Sequence, residues 1–191
     1  VIRERLGIPE GKTAILYAPT WRDNVAGLVT FLDLSALAEE LGPDYVILLR
    51  GHSRTMKNSQ RVLIPGVIDV TTYPNVTELF MASDALITDY SSVMFDSANT
   101  ERPMIFFAPE LEEYSGARGF YLDYETQVPG PILTTTGEVV DALENPEELA
   151  AYASRRAEFR ERFCPLDDGK AARRVVDYLE QLQLLSPQRP T

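Results

Sequence analysis

The stretch Asp84-Ala85-Leu86-Ile87-Thr88-Asp89-Tyr90-Ser91-Ser92-Val93-Met94-Phe95-Asp96 decides the fold. Its apolar run at 85–87 stops at Thr88-Asp89, and a helical pattern begins at Ser91-Ser92. This reads as a strand, a tight turn and a helix start. Such a junction points free backbone N–H groups and the positive end of a helix dipole at one spot, which suits a phosphate. Asp96 follows one helical turn beyond the serines on roughly the same face, where a carboxylate can accept hydrogen bonds from ribose hydroxyls. The alternative is a hydroxyl N-cap on an ordinary α/β helix, with Asp96 merely solvated.

The totals narrow the class. The 191 residues are 45% hydrophobic and 25% charged, enough for one buried core of ordinary globular composition. Eighteen basic against 29 acidic residues leave a net charge of −11, a surface that repels nucleic acid and anionic lipid. Arg155, Arg156, Arg160 and Arg162 are interleaved with acids and read as a solvated helix face. A single cysteine, Cys164, excludes an internal disulfide and a cysteine zinc site, and a single histidine excludes a histidine-based metal cluster. No apolar run approaches the ~20 residues of a membrane span, and no signal peptide is present. The chain starts at Val1 without an initiator Met and reads as a piece of something longer.

Taken in order, 13–17 is a β-type run that leads into Ala18-Pro19-Thr20-Trp21-Arg22-Asp23. In open parallel sheets the ligand crevice lies outside the C-terminal strand ends, so Arg22 is a candidate anion contact, with a loop pair to Asp23 as the alternative. Residues 31–41 carry helical spacing and stop at Gly42-Pro43, and 45–49 is a continuous apolar run expected of a strand buried on both faces. That run feeds Arg50-Gly51-His52-Ser53-Arg54. A lone histidine is usually structural, but His52 lies at the expected ligand edge beside two arginines. Imidazole, with an ordinary pKa of about 6.5, suits proton transfer or phosphate contact there.

A third strand at 67–70 leaves through Thr71-Thr72-Tyr73-Pro74, and a helix covers 75–83. Strand four and the Ser91 helix come next, then strand five at 103–107. Residues 110–124 are aromatic and acidic without clear period, either a loop over the cleft or packing. Pro129-Gly130-Pro131 precedes a short edge strand at 132–134, and helices at 137–143, 146–163 and 169–185 close the chain. The alternation predicts an α/β fold, a Rossmann-like parallel sheet of five or six strands flanked by helices. One such domain is expected over 1–185, with 186–191 a frayed tail.

Six phrases in order carry a resemblance: Tyr17-Ala18-Pro19-Thr20-Trp21-Arg22-Asp23, Leu49-Arg50-Gly51-His52, Thr88 through Asp96, Arg118-Gly119-Phe120-Tyr121, Val128-Pro129-Gly130-Pro131 and Asp168-Gly169-Lys170-Ala171. Together they resemble the C-terminal half of the CDP-glycerol glycerophosphotransferases, the teichoic-acid poly(glycerol phosphate) polymerases and primases, over about 6–178. The resemblance implies the C-terminal nucleotide-binding half of a GT-B architecture, with the active site between two Rossmann-like domains. It implies that His52 is the catalytic histidine, and that Pro19, Thr20, Arg50 and Gly51 lie near the donor. Ser91 and Ser92 match the diphosphate turn, Asp96 the ribose acid, and Thr71 and Thr72 the base contacts. Ser53 departs from the family, where a proline or bulky residue often follows the histidine.

The implied reaction is attack of a polymer glycerol hydroxyl on the β-phosphorus of CDP-glycerol, with CMP leaving. Positioning and charge stabilisation carry such a transfer, and no metal or other cofactor is expected. His52 is either the base or the stabiliser of the leaving phosphate. The implied partners are CDP-glycerol, a lipid-linked polyol-phosphate acceptor and an N-terminal domain with its own histidine motif, and nucleic acid is not among them. The implied place of work is the cytoplasmic face of a bacterial membrane, contacted through the missing portion only, with this domain itself soluble. A UDP-sugar glycosyltransferase or epimerase-like domain, and a non-catalytic nucleotide-binding domain, remain as alternatives.

Overall fold

In the computed structural model, six strands form one all-parallel sheet in the order β3-β2-β1-β4-β5-β6. Residues 1–20, 31–51 and 63–184 are described; Trp21, Arg22, His52 and the expected tail at 186–191 lie outside them. The strands are β1 (Thr13–Ala18), β2 (Tyr45–Leu49), β3 (Val67–Asp69), β4 (Ala85–Thr88), β5 (Met104–Phe107) and β6 (Ile132–Leu133). Each of β1, β2, β4 and β5 reads as a near-continuous apolar run because helices cover both of its faces.

The two-residue period of a strand sorts those runs into two cores. Ala14, Leu16 and Ala18 face one side, with Leu79 and Phe80 of α3 (Val76–Ala82), Met94 and Ala98 of α4 (Val93–Ala98) and Phe159 of α9 (Ala153–Phe163). Ile15 and Tyr17 face the other, with Leu34, Leu37 and Leu41 of α2 (Leu34–Leu41) and Val139, Val140 and Leu143 of α7 (Thr136–Glu144). The result is a helix–sheet–helix sandwich.

Local chemistry sets the helix starts. Asp33 caps α2 by accepting from Ser35 and Ala36 N–H, Asn75 caps α3 in the same way, and Thr135 with Glu138 forms a capping box on α7. The remaining α-helices are α1 (Ile2–Arg5), α5 (Leu111–Arg118), α6 (Tyr124–Gln127), α8 (Pro146–Ala150) and α10 (Ala171–Gln181). None of the described helices is long and apolar enough to cross a membrane.

The structure corrects three expectations. The helix expected over 146–163 is two, because Pro146 starts α8 and the chain turns at Ala151 and Tyr152 before α9. Arg156 is buried rather than solvated: its Nη1 donates to the Leu149 carbonyl at 2.8 Å, across the turn that separates those two helices. The helix after β4 starts at Val93, later than Ser91. The aromatic, acidic stretch at 110–124 holds the helix α5, whose residues are largely exposed, and only some of its rings pack. Tyr90 stacks on Tyr114 with centroids 3.9 Å apart, and Phe120 stacks on Tyr124 at 4.8 Å.

Candidate site at the C-terminal edge of the sheet

The strand order reverses direction between β1 and β4, the point at which an open parallel sheet forms a ligand crevice outside its C-terminal strand ends. Three sequence-selected groups converge on that edge. Pro19 and Thr20 leave β1, Arg50 and Gly51 leave β2, and Ser91 and Ser92 leave β4. Thr71 and Thr72 stand further along the same edge, after β3.

Several of these side chains are already engaged. The backbone N–H and Oγ1 of Thr20 both donate to Asp89 Oδ1, at 2.8 and 2.5 Å. Thr71 Oγ1 accepts from Gly51 N–H at 2.9 Å, while Thr71 N–H donates to Asp69 Oδ1 at 3.0 Å in a local turn. Thr72 is exposed. Arg50 Nη1 donates to the Tyr73 carbonyl at 2.8 Å, and partial burial lowers the guanidinium pKa by desolvation, although it stays charged.

The turn at Ser91-Ser92 differs from a plain N-cap. Ser92 holds the N-cap position with φ −61° and ψ −10° and makes no side-chain cap bond. Ser91 Oγ accepts from Val93 N–H at a long 3.4 Å. Among the described residues no acceptor meets the backbone N–H of Ser91 or Ser92. Asp96 is exposed in the first turn of α4. Among the described residues no group of three or more His, Cys, Asp or Glu side chains could hold a metal ion.

Asp89 and Tyr124 were not selected from sequence. Asp89 is 4% exposed, and the Tyr124 hydroxyl donates to its carbonyl at 2.9 Å. A signal existed for Asp89, since an acid that directly ends a fully buried strand must be satisfied by something nearby. Tyr124 lies 35 positions away and carried no local signal. The remaining motif glycines are structural: Gly119 ends α5 at φ +69°, where a side chain is strained.

An all-parallel sheet in 3-2-1-4-5-6 order, with polar loops gathered at its switch point, defines a Rossmann-type α/β domain. The family is more specific. The chain belongs to the CDP-Glycerol:Poly(glycerophosphate) glycerophosphotransferase family, whose model matches residues 1–181.

It is 43% identical over 182 residues to a teichoic acid glycerol-phosphate transferase of Staphylococcus aureus, covering 91% of this chain and 46% of that protein. It is 42% identical over 188 residues to a teichoic acid poly(glycerol phosphate) polymerase of Bacillus subtilis, covering 93% of this chain and 25% of that protein. The fold superposes with a TM-score of 0.84 on a histidine-to-asparagine variant of the wall teichoic acid polymerase TagF soaked with CDPG. That match is 42% identical and covers 96% of this chain and 47% of that one. The chain thus spans half or less of the length of these relatives.

Proposed function

We propose that this chain is the donor-binding, C-terminal domain of a GT-B-type glycerophosphotransferase that takes glycerol phosphate from CDP-glycerol. The whole enzyme passes it to a hydroxyl of a teichoic-acid-type polymer. The observation that carries the proposal is the superposition of nearly the whole chain on a CDPG-soaked polymerase, with Thr20, Arg50, Gly51, Thr71, Ser91 and Ser92 following the C-terminal ends of four strands of the sheet.

In this reading the acceptor oxygen forms a bond to the β-phosphorus, the bond from that phosphorus to the bridging oxygen breaks, and CMP leaves with the electron pair. The N–H groups of Ser91 and Ser92 meet the diphosphate, Arg50 supplies a fixed cation, and Asp96 holds the ribose. Thr71 and Thr72 stand nearest the base. His52, next in sequence to Gly51, is the catalytic histidine and handles the acceptor proton or the leaving-phosphate charge. The proposal carries no metal requirement, which transfer assays with and without EDTA test.

The acceptor is lipid-linked, so the complete enzyme works at the cytoplasmic membrane face. Its membrane contacts lie in the part of the relatives that this chain does not span, because a net charge of −11 disfavours anionic lipid here.

Calorimetric titration of the chain with CDP-glycerol, CDP and UDP tests the reading. Cytidine-selective binding is expected, weakened about tenfold or more in Ser92→Pro, which removes one N–H, and in Asp96→Ala. Preference for UDP would turn the assignment to a UDP-sugar enzyme. Transferase activity absent even when the chain is joined to a family N-terminal half would leave a non-catalytic binding domain.

A further inference from the structure

The Asp89 carboxylate lies at the point where the sheet order reverses. It is almost fully buried, yet its partners include both the backbone N–H and the hydroxyl of Thr20, 69 positions away. One residue earlier, the Thr88 hydroxyl donates to the Ala18 carbonyl at 2.8 Å, and the buried Tyr124 hydroxyl holds the Asp89 carbonyl from behind. A buried carboxylate is costly, and an apolar residue would suit the surrounding core better. Its hydrogen bonds run to the loop that leaves β1, and Asp89 itself begins the loop that leaves β4.

We propose that Asp89 is a positioning residue that locks the Pro19-Thr20 corner against the Ser91-Ser92 turn, so that the two walls of the switch-point crevice are set as one unit. The inference rests on the donor-binding reading of that crevice. Thr20, whose single hydroxyl proton goes to Asp89, is the held partner in this arrangement. The serine N–H groups then keep their aim because the opposite wall cannot swing away.

Two readouts on the 191-residue chain test the proposal: affinity for CDP-glycerol, and hydrogen exchange at the Thr20 amide. Asp89→Ala and Thr20→Val are each expected to weaken binding by about tenfold, the scale of one lost hydrogen bond to a charged group. Asp89→Asn and Thr20→Ser should each recover most of the loss. The Asp89→Ala/Thr20→Val double variant should bind no worse than Asp89→Ala alone, since both changes remove one linkage. The Thr20 amide should exchange faster in Asp89→Ala while Ile15 and Leu16 stay protected.

Unchanged affinity in a folded Asp89→Ala chain, or penalties that simply add, would overturn the proposal. If Asp89→Ala does not fold, Thr20→Val carries the affinity readout and Asp89→Leu, which also removes the acceptor, the exchange readout. If the wild-type chain binds no CDP-glycerol at millimolar concentration, it is the donor reading that has failed. Exchange then decides the lock: a Thr20 amide equally protected in a folded Asp89→Ala or Asp89→Leu chain overturns it, and selective loss of protection upholds it.

Discussion

The backbone N–H of Gly51 donates to Thr71 Oγ1 at 2.9 Å, so a side chain from the end of β3 holds the last described residue before His52. Gly51 is buried, and removing its acceptor leaves an N–H without a partner away from water. Thr71→Val is therefore expected to cost about 1–3 kcal/mol, with Thr71→Ser recovering most of it. Urea unfolding checks this: the midpoint should fall with an unchanged slope, and an unmoved midpoint would refute it.

Gly130 permits a second close approach. A Cβ built there would stand 1.9 Å from the Met104 carbonyl oxygen and 2.8 Å from its carbon, both backbone atoms. Met104 opens β5, which pairs with β4 on one side and β6 on the other, so relief would require moving a buried strand. Gly130→Ala should lose at least about 3 kcal/mol, at the severe end of overpacking. Thermal unfolding of a soluble Gly130→Ala chain within a few degrees of wild type would show the strand to be more yielding than this geometry implies.

These two contacts show what sequence reading reaches. Strands β1, β2, β4 and β5 are legible because unbroken apolar runs, three to five residues long here, are what two-sided burial demands. The edge at which Arg50, Ser91 and Thr71 gather followed from parallel-sheet logic and from the family phrases. The Asp89 pairing is hidden from local pattern because its partner Thr20 is 69 positions distant, and interleaved acids hide the one face of α9 that turns Arg156 inward. Side-chain pairing between loops depends on strand order, and local pattern does not encode that order.

The Tyr124 hydroxyl gives a pH prediction. Burial above all, and then the Asp89 charge, push its pKa well above the ordinary phenol value. The folded chain therefore keeps this proton while the unfolded chain gives it up near pH 10, so above that point the unfolded state binds fewer protons. The stabilisation is fully present below pH 10 and is lost as pH rises further, by about 1.4 kcal/mol per unit. Tyr124→Phe should be less stable by about 1 kcal/mol near neutrality, from the lost bond to the Asp89 carbonyl, with a flatter alkaline decline. Parallel alkaline slopes in the two proteins would contradict this.

Arg50 offers the last test. Among the described residues its guanidinium meets one acceptor, the Tyr73 carbonyl, which fixes the side chain while leaving further N–H donors in a planar fork. Its partial burial means that an anion bound there is poorly screened by solvent, and a fixed cation of this kind pairs well with a diphosphate. Arg50→Met, which keeps the apolar stem, should weaken CDP binding by about 1.5–3 kcal/mol, roughly ten- to a hundredfold. Raising the salt concentration should weaken the wild-type chain more than the variant, because only the wild type loses a charge pair to screening. Titrations at low and high NaCl measure both effects. Equal affinity and equal salt slopes would move the diphosphate away from Arg50 and leave the Ser91-Ser92 turn to hold it alone.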